Sequence, residues 1–171
     1  MTYDLAIIGG GPAGVAAGGI TVVRKEPAKR KYTVSDSWGL TKFKSVVSRE
    51  LQRAIRMERA DDDGNCECVC CGRVQHYTDM DCGHFIDGKA NAIRFDERGM
   101  FPCCVNCNQH LNGNKEAYGR FLLRHSGQEV IDDLLRLRNT QMKITRADLE
   151  SMRRSIKARL KAQEKRLRGL E

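Results

Sequence analysis

Two cysteine-rich stretches decide the fold: CECVCCGRVQHYTDMDCGHF at residues 66–85 and CCVNCNQH at residues 103–110. Each contains a C-x-x-C pair, Cys68/Cys71 in the first and Cys104/Cys107 in the second. Because this spacing lets both sulfurs of a pair face one ion at about 2.3 Å, two such pairs predict a tetrahedral zinc site. The zinc would be structural, since protein ligands take all four positions around it.

The other four cysteines lack this spacing, and we interpret Cys66, Cys70, Cys82 and Cys103 as bystanders. The alternative assignment pairs Cys66 with Cys70, and Cys103 with Cys107. A second zinc ion is the less favoured hypothesis.

The length and composition limit the number of domains, the kind of partner and the cellular compartment. A chain of 171 residues supports one domain with a small appendage. Its net charge of +8 favours a polyanionic partner, such as nucleic acid or an anionic membrane surface. The start of the chain lacks the basic region of a secretory signal, and the uncharged run at residues 5–23 contains six glycines and a proline. We therefore predict a cytoplasmic protein without a membrane partner, where cysteines bind metals more often than they form disulfides.

The N-terminal segment carries a glycine-rich motif. Residues 1–23 predict a truncated strand–turn–helix segment, and residues 24–37 a basic linker. The sequence TYDLAIIGGGPAGVAAG, residues 2–18, resembles the FAD-binding start of thioredoxin reductase-type flavoproteins. Glu26 follows Gly14 by only 12 positions, whereas the dinucleotide-binding pattern has its acidic residue about 20 positions on. A flavin oxidoreductase fragment is therefore the least favoured function.

Helical periodicity precedes the cysteine-rich core. Within residues 38–65, apolar side chains recur at helical spacing over residues 41–59, and Thr41 is the predicted N-cap. We interpret this apolar stripe as part of the core.

The C-terminal region, residues 127–171, predicts basic helices. Gly127 separates two short helices, and Thr145 with Asp148 predicts the start of a long last helix. Its apolar stripe predicts packing on its own domain or the interface of a homodimer. Its basic side chains predict either a solvated face or contacts with DNA phosphates. The predicted DNA contacts are Arg153, Arg154, Lys157, Lys161 and Lys165.

The segment between the cysteine pairs contains residues suited to phosphodiester hydrolysis. Asp81-Cys82-Gly83-His84 predicts a short strand that carries a histidine. An imidazole acts as a general base near neutral pH because its unperturbed pKa is about 6.5. Asp81 and Asn108 offer oxygen ligands to a catalytic Mg²⁺ or Mn²⁺ ion. His110 is a further candidate for binding the phosphate or the metal.

The order of these elements predicts an α+β fold. A histidine strand, a turn and a metal-bearing helix make the ββα-metal arrangement of HNH nucleases, which is similar to a treble clef. We place this zinc-stabilised core at residues 66–126, with helices on both sides.

The motifs DCGHF, RFDERGMFPCCVNCNQHLNGN and GQEVID resemble the NinG (Rap) recombination proteins of lambdoid phages. The resemblance runs from about residue 38 to the C-terminus. It implies a phage- or prophage-encoded, metal-dependent endodeoxyribonuclease of HNH type, acting on D-loops and Holliday junctions in the bacterial host. The matching positions are the four cysteines of the C-x-x-C pairs, Asp81, His84, Asn108, His110, Gly113 and Asn114. Of these residues, we also expect Asn114 to contact DNA.

One position departs from that family pattern. Gly99 stands where family members often have an asparagine that orients the histidine or braces the metal loop. Two outcomes are open: the activity is lower, or a neighbour such as Asp96 takes the role of the asparagine. If nothing substitutes, the alternative function is a non-catalytic zinc-finger protein that binds DNA.

Overall fold

The structure, a computed structural model, describes residues 39–87 and 90–169. The predicted strand–turn–helix segment and the basic linker therefore lie outside the described residues.

The described chain is a mixture of helices and short strands, which confirms the α+β class. The helices are α1 (Leu40–Glu58), α2 (Asn91–Arg94), α3 (Lys115–Ser126), α4 (Gln128–Leu137) and α5 (Arg146–Arg166). The strands are β1 (Asn65–Glu67), β2 (Val74–His76), β3 (Met80–His84) and β4 (Met100–Cys104). A 3-10 turn (Glu97–Gly99) precedes β4, and a π-helical turn (Asn106–His110) follows it.

The strands form two separate antiparallel pairs, β1 with β2 and β3 with β4. In the second pair, Met80 lies opposite Cys104 and His84 lies opposite Met100. Because successive side chains of a strand point to opposite faces, Asp81 and His84 lie on opposite faces of this hairpin.

Helices α1 and α5 pack against each other and build the main core. Phe43, Val47 and Leu51 of α1 are buried in the same cluster as Leu149 and Ile156 of α5. The apolar stripe of the last helix is thus covered by its own domain. This packing removes the stripe from the surfaces available to a homodimer.

The helix starts differ in how well the sequence predicts them. Thr145 makes the predicted capping box with Asp148. Thr41 is not the cap of α1: Gly39 holds that position, and Thr41 lies inside the first turn. There its carbonyl accepts a hydrogen bond from the Ser45 hydroxyl.

Helices α3 and α4 pack beside the β3–β4 hairpin. As predicted, Gly127 separates them, with a φ of +85° that favours glycine. Tyr118 and Leu134 are fully buried there against Phe101 of β4. In the described residues, we find no helix with the length and apolar character needed to cross a membrane.

Arg153 is part of the interior and not of the basic surface. Its side chain is only 8% exposed, and it donates two hydrogen bonds to the Glu50 carboxylate, at 2.7 and 2.8 Å. This bidentate ion pair ties α5 to α1. The predicted contact between Arg153 and DNA is therefore wrong, because the guanidinium faces the protein.

Replacing Arg153 by alanine is expected to lower the free energy of unfolding by about 3 kcal/mol, since it leaves the Glu50 carboxylate buried without its partner. Arg154→Ala is the matched control: it removes the same charge from an exposed position and should cost less than about 0.5 kcal/mol. Urea unfolding of both variants checks this. Equal stability of the two variants would contradict the structural role of the Arg153–Glu50 ion pair.

Candidate metal centre and histidine pocket

The four predicted zinc ligands come together. Cys68 and Cys71 lie in the loop between β1 and β2, Cys104 ends β4, and Cys107 lies in the turn that follows. Their four Sγ atoms all lie within 4.8 Å of one another, and those of Cys71 and Cys104 are 3.7 Å apart. In a tetrahedron with bonds of about 2.3 Å, sulfur atoms are about 3.8 Å apart. The donor set therefore fits a metal such as zinc.

Local backbone geometry shapes the two knuckles. Gly72 adopts a φ of +73°, and its amide donates to the Cys68 carbonyl at 2.9 Å, which closes the first turn. In the second knuckle, the Cys107 amide donates to the Cys104 Sγ at 3.5 Å. Hydrogen bonds of this kind orient metal ligands and stabilise negative charge on sulfur.

Asn114 belongs to this centre. Its side-chain amide donates to the Cys107 Sγ at 3.7 Å. We predicted a DNA contact for Asn114, but the structure directs its side chain to a ligand sulfur. The residue therefore supports the metal centre.

The remaining cysteines divide into two pairs. All eight cysteines are described, and none forms a disulfide. Cys66 and Cys82 lie outside both groups of neighbouring sulfur atoms. Burial raises the pKa values of their thiols to about 11 and about 12, so both are protonated at neutral pH. They remain bystanders, which removes the alternative pairing through Cys66. Cys70 and Cys103, in contrast, lie beside Cys68, with the three Sγ atoms within 4.8 Å of one another.

Asp81 of β3 and Asn108 of the π-helical turn are brought together. The Asp81 Oδ2 accepts hydrogen bonds from the amides of Asn108, at 2.9 Å, and of Gln109, at 2.8 Å. Rotating the Asn108 amide would present its oxygen to the carboxylate, which is the arrangement a hard cation needs. The pair thus supplies two candidate oxygen ligands, and in the structure the two side chains are hydrogen-bonded to each other. His110 is exposed in the same turn.

His84 lies apart from that pair, in a pocket of about 370 Å³ between α1 and the segment after β3. The other lining residues are Ser45, Ser48, Arg49, Gln52, Asp87 and Arg94. The predicted catalytic set is thus divided between the two faces of the β3–β4 hairpin. The sequence analysis missed the two arginines, since their proximity to His84 depends on tertiary packing.

The surroundings of His84 favour its neutral form. Burial is the main cause that lowers its pKa, and the charges of Lys115 and Arg94 act in the same direction. The Asp87 carboxylate and a hydrogen bond with the Arg94 backbone oppose this shift. The pKa is lower than the ordinary value of about 6.5, so the imidazole is available as a base at neutral pH.

Packing at Gly99 leaves little room for a side chain. A Cβ at Gly99 would lie 3.1 Å from the Leu134 Cδ1 of α4. The Gly99 carbonyl accepts from the Tyr118 hydroxyl at 3.1 Å, which fixes the backbone. The Asp96 carboxylate accepts hydrogen bonds from the Arg98 guanidinium at 2.7 and 3.0 Å.

Comparison with known proteins places this arrangement in a family. The model of the family described as "Bacteriophage Lambda NinG protein" matches residues 22–166. The chain belongs to the NinG family. This membership covers both cysteine pairs, the histidine pocket and α5.

Curated NinG relatives come from several phages. Over 94 residues, the chain is 33% identical to Protein ninG of Escherichia phage 933W, 32% to that of Escherichia phage lambda and 31% to that of Salmonella phage P22. Each match covers 54% of this chain and 46% of the NinG relative. The chain thus spans about half the length of these curated relatives. No solved structure matches it.

Proposed function

We propose that this NinG-family chain is a zinc-stabilised endonuclease that hydrolyses phosphodiester bonds in branched DNA such as D-loops and Holliday junctions. The observation that carries the proposal is the His84 pocket, where a half-buried imidazole shares the lining with Arg49 and Arg94. The order of β3, β4 and a cysteine-bearing turn supports it, as does the resemblance described above.

In this proposal, His84 accepts the proton of the attacking water. Arg49 and Arg94 line the same pocket, and guanidinium groups bind phosphate oxygens with two parallel hydrogen bonds. Such donors also stabilise the negative charge that develops on the phosphate during attack.

The Asp81–Asn108 pair is assigned to a Mg²⁺ or Mn²⁺ ion. When bound, such an ion would neutralise charge on a phosphate. Because Asp81 and His84 face opposite sides of the hairpin, the proposal assigns proton transfer to the His84 pocket. Dependence on the divalent ion and dependence on His84 are thus separable properties.

The test is cleavage of a labelled four-way junction against linear duplex of matched length, with Mg²⁺ and with EDTA. We expect junction-selective products that require the divalent ion. Tight binding of the junction without cleavage would overturn the proposal and favour the zinc-finger DNA-binding function.

Arg94→Gln is expected to reduce junction cleavage about tenfold while leaving the fold intact, since it removes one charged phosphate ligand from the pocket. Single-turnover rates with saturating protein measure this effect on the chemical step. Arg138→Gln, at an exposed position after α4, is the control. An unchanged rate in Arg94→Gln would exclude this arginine from the phosphate site.

The basic surface of α5 remains a candidate DNA interface, although the buried Arg153 is not part of it. Its exposed members recur at spacings of three and four residues, so they form one stripe along about 17 Å of helix. The stripe consists of Arg154, Lys157, Lys161 and Lys165. Contacts of this kind bind the DNA backbone and carry no sequence information.

Replacing Lys157 and Lys161 together by alanine is expected to weaken junction binding to the same degree whatever the DNA sequence. The slope of log K against log salt concentration should fall by about 2, because two fewer counterions are released. Titrations at several salt concentrations measure the slope. The control variant carries Arg120→Ala and Arg136→Ala, which remove equal charge from the exposed faces of α3 and α4. Equal slopes in both variants would remove α5 from the interface.

A further inference from the structure

The cysteine centre contains a second group of sulfur atoms. Cys68, Cys70 and Cys103 have Sγ atoms within 4.8 Å of one another. The Cys103 Sγ lies 3.6 Å from that of Cys70 and 3.9 Å from that of Cys68. Both distances are close to the separation of about 3.8 Å expected between two sulfur ligands of one tetrahedral zinc ion.

The fold places this group beside the four-cysteine group. Cys103 and Cys104 are neighbours in β4, so their side chains point to opposite faces of the strand. Cys70 and Cys71 are neighbours in the facing loop, and the Val69 amide holds that loop to the Pro102 carbonyl at 3.2 Å. One residue of each neighbouring pair therefore faces each group, and Cys68 belongs to both.

We propose that this chain binds a second thiophilic cation, of which Zn²⁺ is the example, through Cys70, Cys103 and a bridging Cys68. The two ions then share six cysteines. Cys70 and Cys103 each release one proton, so the charge of the second ion is balanced by two new thiolates. The fourth position is left to water or to the Gly113 carbonyl, which lies 3.8 Å from the Cys70 Sγ.

The second group offers three sulfur ligands, whereas the first offers four. Both groups reach the surface, since Cys70 is half-buried and Cys71 is exposed. A site with three protein sulfurs and one open position resembles in ligand count the zinc sites that keep a place for water. The second ion is therefore expected to bind and leave more readily than the first.

The experiment counts ions in the full chain. After equilibration with excess Zn²⁺ under reducing conditions, native mass spectrometry should find two zinc ions per chain. The double variant Cys70→Ser/Cys103→Ser should bind one, because the four ligands of the first site remain. Cys66→Ala, which changes a buried cysteine outside both groups, should still bind two. Since ions are counted directly, the result is independent of any cleavage activity.

Two results would overturn the proposal. One is a single ion in the wild-type chain at saturating zinc, which would mean that Cys70 and Cys103 are hydrogen-bonded thiols. The other is a second ion that persists in the double variant. If the double variant does not fold, Cys70→Ser alone tests the same point, because the position is half-buried and tolerates a hydroxyl. Replacement by ¹¹³Cd²⁺ should give two NMR signals coupled through the shared sulfur.

Discussion

Replacing His84 by alanine is expected to reduce the rate of junction cleavage by about 10²–10⁴-fold, the contribution typical of a general base. The imidazole lies in a pocket with two arginines, Arg49 and Arg94. Its removal leaves phosphate binding by those arginines in place. Binding of the junction should therefore change much less than the cleavage rate.

Single-turnover cleavage and a separate binding titration measure the two quantities. The matched control is His125→Ala, since this histidine is exposed on α3 and stacks on Phe121. Full activity in His84→Ala would show that His84 does not accept the proton. A parallel loss of binding and cleavage would make His84 a binding residue.

The pH dependence of the cleavage rate tests the same role of His84. A general base acts when deprotonated, so the rate should rise with pH through the His84 pKa and then stay level. Burial lowers that pKa, which places the midpoint below about 6.5 and the plateau at neutral pH. The Asp87 charge raises the pKa, so Asp87→Asn should move the midpoint to lower pH. A midpoint that moves upward would contradict the electrostatics of the pocket.

The sequence predicts what depends on local spacing. The C-x-x-C pairs fix which sulfurs can share an ion, and the structure groups those four. The start of α5 follows from Thr145 and Asp148, whose capping contacts span one turn. The second sulfur group could have been inferred only in part: Cys103 and Cys104 are neighbours in a strand and must point to opposite faces, whereas no such rule applies to Cys70 and Cys71 in a loop.

The sequence is less informative where function depends on the face of an element. The motif D-x-G-H brings Asp81 and His84 close together in the sequence, yet an interval of three residues puts them on opposite faces of a strand. Arg153 could have been predicted correctly: it follows Leu149 by four residues and precedes Ile156 by three, so it lies on the buried side of α5. The meeting of Arg49 with His84 depends on how α1 packs on the hairpin, which no local pattern encodes.

Replacing Cys104 by serine is expected to unfold the cysteine-rich core. Metal binding contributes about 10–16 kcal/mol to the folding of small zinc domains, whereas a whole domain is typically stable by about 5–15 kcal/mol. Cys68, Cys104 and Cys107 are buried in the same cluster as the packed faces of α1 and α5. Loss of the ion would leave these short strands without the link that joins the β1–β2 loop to β4.

Thermal unfolding with parallel zinc analysis measures this effect, and EDTA should reproduce it in the wild-type chain. Cys66→Ala is the matched control, because Cys66 is equally buried but lies outside the metal groups. That variant should keep its zinc and lose only about 1–2 kcal/mol, the cost of a small cavity. A Cys104→Ser variant that melts with the control and retains its zinc would show that the four sulfurs do not hold the ion. The fold would then depend on the α1–α5 packing, and the cysteines would have to be explained by another chemistry.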